Sequence, residues 1–447
     1  MKKIICCLFI LAYLLSSCSD DSKYPISKDE KVKIKLSYEE FISINDDLNS
    51  PLTTEEVLNL VTEFENGITS SKSKSSNANS IKSKYYIEIS ENSKLKSRNS
   101  VDEDVIEVYE VNLKDTNTEG FALISADRRV SGIIAYIPNG SLADTIDNKA
   151  LAQMLKLSEA TYIQSVHGYN HLIDSLKEKT IDKICQSENI SRDEYYKNGY
   201  IIKYTTDINL IDNNTTHTKA ARLPEPGAIK TQIGPHLKTQ WDQWAPYNNQ
   251  VPHFCPGGGR APTGCVATAL AQIAAYYKRQ PKDNSYYYNY DAMLKYTKIP
   301  YTDQVASNYV SKLMVDIGIG VDMNYACGGS GAYSVDAVNY FSKKFGLSYS
   351  LHIGRELVPS DMYNILRQGR IIYISGTSSS GAHAWLVDGS YGTSYVMSYL
   401  KDFYVHCNFG WGGSSDGYFC IYQYHKTSGQ KYINIINNYI VARYWGI

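Results

Sequence analysis

A cysteine stands at the start of an apolar helical pattern, in the sequence TGCVATA over residues 263–269. After Cys265 the apolar residues recur with the spacing of one helical face, and the pattern stops at Pro281. The first turn of a helix carries unpaired N–H groups and about half a positive charge, and both stabilise a thiolate. Because the thiolate is the form that attacks a carbonyl carbon, Cys265 is a candidate nucleophile. The alternative is a structural cysteine at the start of a core helix.

A histidine that could serve as its base begins an apolar strand, in the sequence GAHAWLVDG over residues 381–389. Taken alone, His383 also fits a hydrogen-bonded core histidine. A histidine beside a cysteine, however, accepts the thiol proton and leaves a thiolate–imidazolium pair, with a thiol pKa as low as about 3–4. The two residues together therefore predict nucleophilic catalysis.

Two further segments offer groups that such chemistry needs. The sequence HCNFGWGG over residues 406–413 contains Asn408, whose side chain could orient the imidazole as the third member of a triad does. The sequence QWDQWAPYN over residues 240–248 contains Gln243, whose amide could donate to a developing oxyanion beside the N–H of Cys265. Each segment also has a purely structural interpretation: the first as a glycine-rich turn, and the second as a solvated polar loop.

Together the four segments resemble the streptopain family, a branch of the papain-like cysteine proteases. That family carries the motifs W-x-Q-x-x-P-Y-N, T-G-C-V-A-T-A, G-x-H-A-x-x-x-D-G and N-W-G-W-G-G, and in the last of them Phe409 replaces the first tryptophan here. The C-G-[SA]-C-[WY] signature of papain itself is absent. The resemblance implies a cysteine endopeptidase that acts on protein or peptide substrates through a thioester, with Gln243, Cys265, His383 and Asn408 as its catalytic residues.

The elements around these motifs predict an α+β domain over residues 226–447. Its first half carries three helical patterns, which include Cys265, Val305 and Val335. Its second half carries short β-like runs, which lie at residues 371–375, 384–388, 403–407 and 418–422. Helices followed by strands predict two lobes with a cleft between them. The resemblance makes this a papain-like two-lobed catalytic domain, with a helical lobe followed by a β-sheet lobe.

Residues 18–225 predict an α+β propeptide domain. A helical pattern with a start at residues 53–56 precedes a serine-rich linker at residues 69–83. Four β-like runs and a long helical pattern follow, at residues 85–89, 105–111, 121–125, 133–137 and 149–176. The sequences YEVNL and GFALISADRR, at residues 109–113 and 120–129, resemble strands of the streptopain propeptide, which blocks the active site until it is cleaved. We expect that cleavage near residues 219–222, in a polar and basic connection.

Residues 1–17 predict a lipoprotein signal peptide. Two lysines precede an apolar run that is too short for a membrane span, and the run ends in LSSC at residues 15–18. Small residues before a cysteine resemble a bacterial lipobox, which implies lipid on Cys18 and a membrane partner through that anchor; the alternative is a plain signal peptide. The expected location is the cell envelope, as an outer-membrane lipoprotein or as an extracellular enzyme after processing.

Composition and motif spacing exclude other classes of function. The chain has 45 basic and 46 acidic residues and a net charge of −1, which argues against nucleic acid as a partner. The G-x-x-x-x-G spacing over residues 259–264 lacks the Lys and Ser or Thr of a phosphate-binding loop. A zinc site formed by His253, Cys255 and Cys265 is not supported by the sequence, because the paired spacing typical of zinc ligands is missing. The sequence therefore predicts neither a cofactor nor a metal.

Some alternatives stay open at the level of sequence. If Cys265 is the working thiol, the remaining cysteines of the C-terminal half allow three disulfide pairings, or stay as thiols; they are Cys255, Cys327, Cys407 and Cys420. The same Cys–His pair could also serve a transglutaminase or a peptidoglycan amidase. An inactive surface-anchored binding module is a third reading.

Overall fold

A computed structural model of the chain describes a set of ranges separated by gaps. The described residues are 36, 40, 43–44, 51–69, 79–88, 105–114, 118–128, 132–197, 228–349, 359–378, 381–395 and 400–423. The predicted signal peptide, Cys18 and the expected cleavage region at residues 219–222 lie outside them. Among the described helices, none combines the length and the apolar character needed to cross a membrane.

The N-terminal domain packs helices against a meander of strands. Helix α1 (Thr54–Ile68) begins with a capping box, in which the hydroxyl of Thr53 accepts from the N–H of Glu56 and the Glu56 carboxylate accepts from the N–H of Thr53. Four antiparallel strands follow: β1 (Ser80–Glu88), β2 (Val105–Lys114), β3 (Glu119–Ser125) and β4 (Ile133–Ile137). A 3-10 helix (Leu142–Ile146), the 40-residue helix α2 (Lys149–Glu188) and helix α3 (Arg192–Lys197) complete the domain.

The C-terminal domain begins with one strand and then turns helical. Strand β5 (Ala228–Ile233) precedes five helices, which are α4 (Cys265–Tyr276), α5 (Tyr290–Met293), α6 (Gln304–Gly320), α7 (Ser334–Phe345) and α8 (Pro359–Leu366). Residues 266–275 of α4 are all buried, because its apolar side chains face α6 and α7 on one side and the sheet on the other. Gly346 ends α7 in the left-handed conformation, with φ of 70°.

The second half of this domain is a sheet that continues into the N-terminal domain. Its strands are β6 (Ile372–Ser378), β7 (Gly381–Tyr395), β8 (Leu400–Asn408) and β9 (Gly417–Gln423). In the described chain the strand order is β1-β2-β3-β4-β9-β8-β7-β5, with β6 paired to the first half of β7, and the pairings are antiparallel. Strand β4 joins β9 through the pairs Ala135–Phe419 and Tyr136–Tyr418. The two domains therefore share one sheet.

The two domains also share a hydrophobic core. Phe64 of α1 packs in edge contacts against three tyrosines of the sheet lobe, with ring centroids 5.0–5.9 Å apart; they are Tyr391, Tyr404 and Tyr418. A separate core lies in the helical lobe around α4, and a third lies between α2 and the sheet. The N-terminal domain therefore packs directly on the sheet lobe.

The predicted α+β fold class is confirmed, since helices fill the first lobe and strands the second. One boundary is wrong: the predicted linker at residues 69–83 runs into strand β1, because Ser80 and Ile81 pair with Asn112 and Val111. Strand β5 was not predicted. It begins close to the polar connection and is defined by pairing with a distant part of the chain, the end of β7.

Candidate active site

Cys265 is the first residue of helix α4, as its sequence predicts. The turn before it depends on Gly264, whose φ of 87° and ψ of 144° suit glycine alone. A β-carbon at Gly264 would lie 2.8 Å from the Sδ of Met323 and 2.9 Å from the carbonyl oxygen of Ser330. The Gly264 carbonyl accepts from the N–H and from the hydroxyl of Thr268, both at 3.0 Å. Close packing and helix hydrogen bonds thus fix the position of the sulfur.

Cys265 and His383 meet where helix α4 abuts strand β7. The N–H of Ala384 donates to the Sγ of Cys265 at 3.4 Å, and the imidazole of His383 forms a hydrogen bond with the same sulfur. Burial raises the pKa of the Cys265 thiol, but the charge of His383 and the hydrogen bonds from His383, Ala384 and Val266 lower it below the ordinary value. Burial lowers the pKa of His383, and the charge and hydrogen bond of Cys265 raise it above the ordinary value. Opposite shifts of this kind favour the thiolate–imidazolium pair.

The second nitrogen of the imidazole faces a backbone carbonyl. The Nε2 of His383 lies 3.2 Å from the oxygen of Phe409. Because a carbonyl oxygen only accepts, Nε2 carries a proton in this contact, and Nδ1 is the nitrogen left to exchange a proton with Cys265. The ring of Trp411 lies 6.4 Å from the imidazole, at an angle of 53°.

Asn408 does not make the expected direct contact with the imidazole. Its Nδ2 donates to the carbonyl of Thr239 at 2.9 Å, and its Oδ1 accepts from Gln272 of α4 at 2.9 Å. The same Oδ1 accepts from the N–H of Gly410 at 3.2 Å. That N–H belongs to the peptide group whose carbonyl, that of Phe409, binds His383. Asn408 therefore holds the two lobes together and acts on the imidazole through one peptide group.

Gln243 lies in a segment whose backbone contacts both the turn before Cys265 and the loop after Asn408. Its carbonyl accepts from the N–H of Thr263, two residues before Cys265, at 2.9 Å. The carbonyl of Trp241 accepts from the N–H of Gly412 at 3.0 Å, in the loop after Asn408. The side chain of Gln243 is half-buried. The backbone thus brings all four predicted residues into one region of the described structure.

The four remaining cysteines of the C-terminal half form one disulfide rather than two, so the structure matches neither a full pairing nor a set of four thiols. Cys255 and Cys327 form a disulfide, which joins the hairpin before α4 to the turn after α6, while Cys407 is a buried thiol. The weighed zinc site is not assembled as the sequence suggested. His253 and Cys255 lie close to Cys327 rather than Cys265, and the two sulfurs of that cluster are bonded to each other.

Sequence reasoning missed several groups that support the imidazole. The carbonyl of Phe409 leaves no mark in the sequence, because every residue has one. Gln272 is a polar residue in an otherwise apolar helix. The sequence could therefore have indicated its role, because a buried amide needs a hydrogen-bond partner. Asp388 and Asp416 are buried, and Asp388 accepts from the Nδ1 of half-buried His406 at 2.6 Å. Only the pairing of strands β7, β8 and β9 places these three together.

The N-terminal domain touches the loop that carries Trp411. The Nδ2 of Asn139 donates to the carbonyl of Gly413 at 3.2 Å, and the carbonyl of Asn139 accepts from the N–H of Ser415 at 2.7 Å. The carboxylate of Asp144 accepts from the hydroxyl of Ser415 at 2.9 Å. The N-terminal domain therefore holds a loop whose other end contacts His383.

Two protein families match the chain in the order of its two domains. Residues 241–419 match the peptidase C10 family. Residues 49–162 match the Spi protease inhibitor family. The first match spans the four predicted site residues, and the second spans helix α1, the four N-terminal strands and part of α2.

The chain is also similar to curated proteins and to a solved structure. The chain is 28% identical over 346 residues to the thiol protease/hemagglutinin PrtT of Porphyromonas gingivalis, which covers 71% of this chain and 33% of that protein. It is 26% identical over 342 residues to streptopain of Streptococcus pyogenes, which covers 68% of this chain and 71% of that protein. The chain thus spans about a third of the first relative's length. A solved prointerpain A fragment of Prevotella intermedia matches with 22% identity and a TM-score of 0.46, over 82% of this chain and 100% of that one.

Proposed function

We propose that the chain is a cysteine-type endopeptidase of the streptopain family of papain-like proteases, with Cys265 as its nucleophile and His383 as its base. The observation that carries this proposal is the contact of the two side chains, with the thiol pKa lowered and the imidazole pKa raised. A sulfur at the first residue of a buried helix and an imidazole on a facing strand form the pair that acyl transfer needs.

In the proposed cycle His383 Nδ1 takes the thiol proton, and the thiolate of Cys265 attacks the peptide carbonyl carbon. The amide of Gln243 and the N–H of Cys265 donate to the oxyanion that forms. The imidazolium then protonates the leaving amine, and a thioester remains on Cys265. A water that gives its proton to His383 attacks the thioester and releases the acid. The carbonyl of Phe409 keeps Nε2 protonated throughout, so that one nitrogen performs both proton transfers.

The N-terminal domain acts in this proposal as an inhibitory propeptide, so the protein is made as a zymogen. Three observations support it: the match of residues 49–162 to a protease inhibitor family, the shared sheet at β4 and β9, and the contacts of Asn139 with the loop at 413–415. Domain boundaries at residues 18–225 and 226–447, with cleavage near residues 219–222, complete the scheme.

Expression of the wild-type chain beside Cys265→Ala tests the catalytic proposal. We expect the wild type to hydrolyse casein and to yield a new N-terminus near residues 219–222. We expect Cys265→Ala to hydrolyse nothing and, if maturation is autocatalytic, to stay a full-length precursor. Cleavage of cell-wall peptides without any action on casein would instead indicate the amidase reading, and casein hydrolysis by Cys265→Ala would remove Cys265 from its role.

Lipid attachment at Cys18 and a position in the cell envelope are a separate part of the proposal. The support is the LSSC sequence after a short apolar run. Cell fractionation of the wild type and of Cys18→Ser tests it, since loss of the lipid should move the protein from the membrane fraction to the soluble fraction. An unchanged membrane fraction for Cys18→Ser would contradict the anchor and leave the catalytic proposal untouched.

A further inference from the structure

A buried carboxylate lies behind the peptide group that binds the imidazole. The Oδ1 of Asp416 accepts from the N–H of Phe409 at 2.8 Å, and the carbonyl of Phe409 accepts from His383 Nε2 at 3.2 Å. A single residue therefore connects the carboxylate to the imidazole. We propose that Asp416 is a positioning residue for His383: it fixes the backbone of Phe409, whose carbonyl sets the orientation and the tautomer of the base. This inference rests on the proposed role of His383.

Burial makes this hydrogen bond hard to replace. Asp416 is 6% exposed and Phe409 is 1% exposed, so water cannot take the place of the carboxylate. A buried N–H without a partner costs about 1–3 kcal/mol, and the backbone would move to find another acceptor. The carbonyl on the same residue would move with it, because the N–H and the C=O flank one Cα atom. The imidazole would then lose the acceptor that holds Nε2.

The surroundings of Asp416 keep an acceptor available in either charge state. Burial raises the pKa of Asp416 to about 7, while the N–H of Phe409 and the charge of His406 act in the opposite direction. His406 is itself held by Asp388, whose second oxygen accepts from the N–H of Leu237 at 2.9 Å. Both the carboxylate and the carboxylic acid present an oxygen to the Phe409 N–H. An asparagine at this position would do the same.

The positioning contact lies entirely within the catalytic domain. Phe409, Asp416 and His383 all belong to the part of the chain that the cleavage proposal retains. The contacts of Asn139 and Asp144 with the neighbouring loop would disappear with the propeptide. The bond from Asp416 to Phe409 would stay, and it therefore serves the mature enzyme.

Steady-state kinetics of the full chain, matured in solution, test the proposal with Asp416→Ala and Asp416→Asn. Variants that do not process themselves are matured by tagged wild-type enzyme, which is then removed. For Asp416→Ala we expect kcat to fall about 100-fold, as for a misplacement of about 1 Å, with KM little changed. Asp416→Asn should recover most of this loss, since it keeps the acceptor. Alkylation of Cys265 by iodoacetamide at pH 6 should slow in Asp416→Ala and recover in Asp416→Asn.

Asp316→Ala is the matched control, because Asp316 accepts from the hydroxyl of Tyr288 at 2.6 Å in the helical lobe. It should lower Tm and leave kcat and the alkylation rate unchanged. If Asp416→Ala has the same kcat and alkylation rate as the wild type, the positioning role is wrong. The activity of the wild type would still support the proposed function. An inactive wild type would count against the proposed function itself. If Asp416→Ala does not fold, Asp416→Leu replaces it, because leucine is similar in size to asparagine and has no acceptor; equal kcat for the Leu and Asn variants would overturn the proposal.

Discussion

The proposed nucleophile, Cys265, and the proposed base, His383, are held in place by different kinds of contact. Cys265 begins a helix whose next ten residues are all buried and include no charged side chain. His383 faces a loop that is held by hydrogen bonds and lies near three ionisable groups, the buried Asp388 and Asp416 and the half-buried His406. Packing and helix geometry thus fix the sulfur, whereas polar contacts across strands fix the imidazole. We therefore expect substitutions around Cys265 and substitutions around His383 to impair the protein in different ways.

The largest effect is expected at the oxyanion, to which the proposed cycle assigns the amide of Gln243 as a donor. Gln243→Ala should lower kcat by about 10²–10³-fold, equal to about 2.7–4 kcal/mol, and should change KM little. Gln250→Ala is the matched control, because the Gln250 amide bonds Asn308 and Ser311 elsewhere in the helical lobe. An unchanged kcat in Gln243→Ala would remove that residue from the role.

The packing of the nucleophile is tested by Gly264→Ala. Its β-carbon would be held at a positive φ and within 3.0 Å of Met323 and Ser330, so we expect a loss of about 2–3 kcal/mol in the free energy of unfolding and a lower kcat. Urea denaturation in the Cys265→Ala background measures the loss without autolysis.

Gly258→Ala separates backbone strain from close packing. Gly258 also has a positive φ, of 94°, but a β-carbon there would meet nothing within 4 Å. We expect Gly258→Ala to destabilise the protein less than Gly264→Ala and to leave kcat unchanged. Equal effects of the two substitutions would show that packing at Gly264 does not position Cys265.

The contacts that hold His383 are tested by Phe409→Trp, which introduces the tryptophan that the family motif has at this position. Phe409 is fully buried, with the rings of Trp385 and Phe419 at 6.3 and 5.7 Å. Phe409→Trp should therefore cost about 1–3 kcal/mol by overpacking. We expect kcat to change little, because the backbone carbonyl of residue 409 is what contacts His383. Phe345→Trp in the helical lobe is the control, and a gain in kcat for Phe409→Trp alone would assign a catalytic role to the indole.

The smallest expected effect is a dependence of stability on pH that originates in the ionisable groups near His383. Asp416 has a pKa raised from 3.8 to about 7 in the folded protein, and the pKa of His406 is also raised. At pH values between the pKa of these groups in the unfolded protein and their pKa in the folded protein, the folded state binds more protons. The free energy of unfolding therefore falls as pH rises. We expect Tm of the Cys265→Ala precursor to fall between pH 5 and pH 7.5, and Asp416→Asn to reduce that slope. A Tm that rises over this interval would contradict the assignment.

The same contrast explains how much the sequence could predict. Helix α4, Cys265 at its start and the strand of His383 follow from local periodicity and from the special chemistry of a helix N-terminus. The contact of His383 with Phe409 could not be predicted, because it joins a side chain to a backbone carbonyl across strand pairings. For the same reason Asn408 was expected at the imidazole, whereas its amide is occupied by Thr239, Gln272 and Gly410. Strand β5 and the start of β1 likewise depend on partners far along the chain.

The rate of iodoacetamide alkylation at Cys265, measured against pH by mass spectrometry of the matured enzyme, tests the thiolate–imidazolium pair most directly. In the wild type we expect alkylation to remain fast well below the ordinary thiol pKa of 9.0, because His383 lowers the pKa of Cys265. In His383→Ala we expect the curve to move up toward that of an ordinary thiol. Identical curves for the two proteins would mean that the imidazole does not act on the sulfur, and the account of this active site would be wrong.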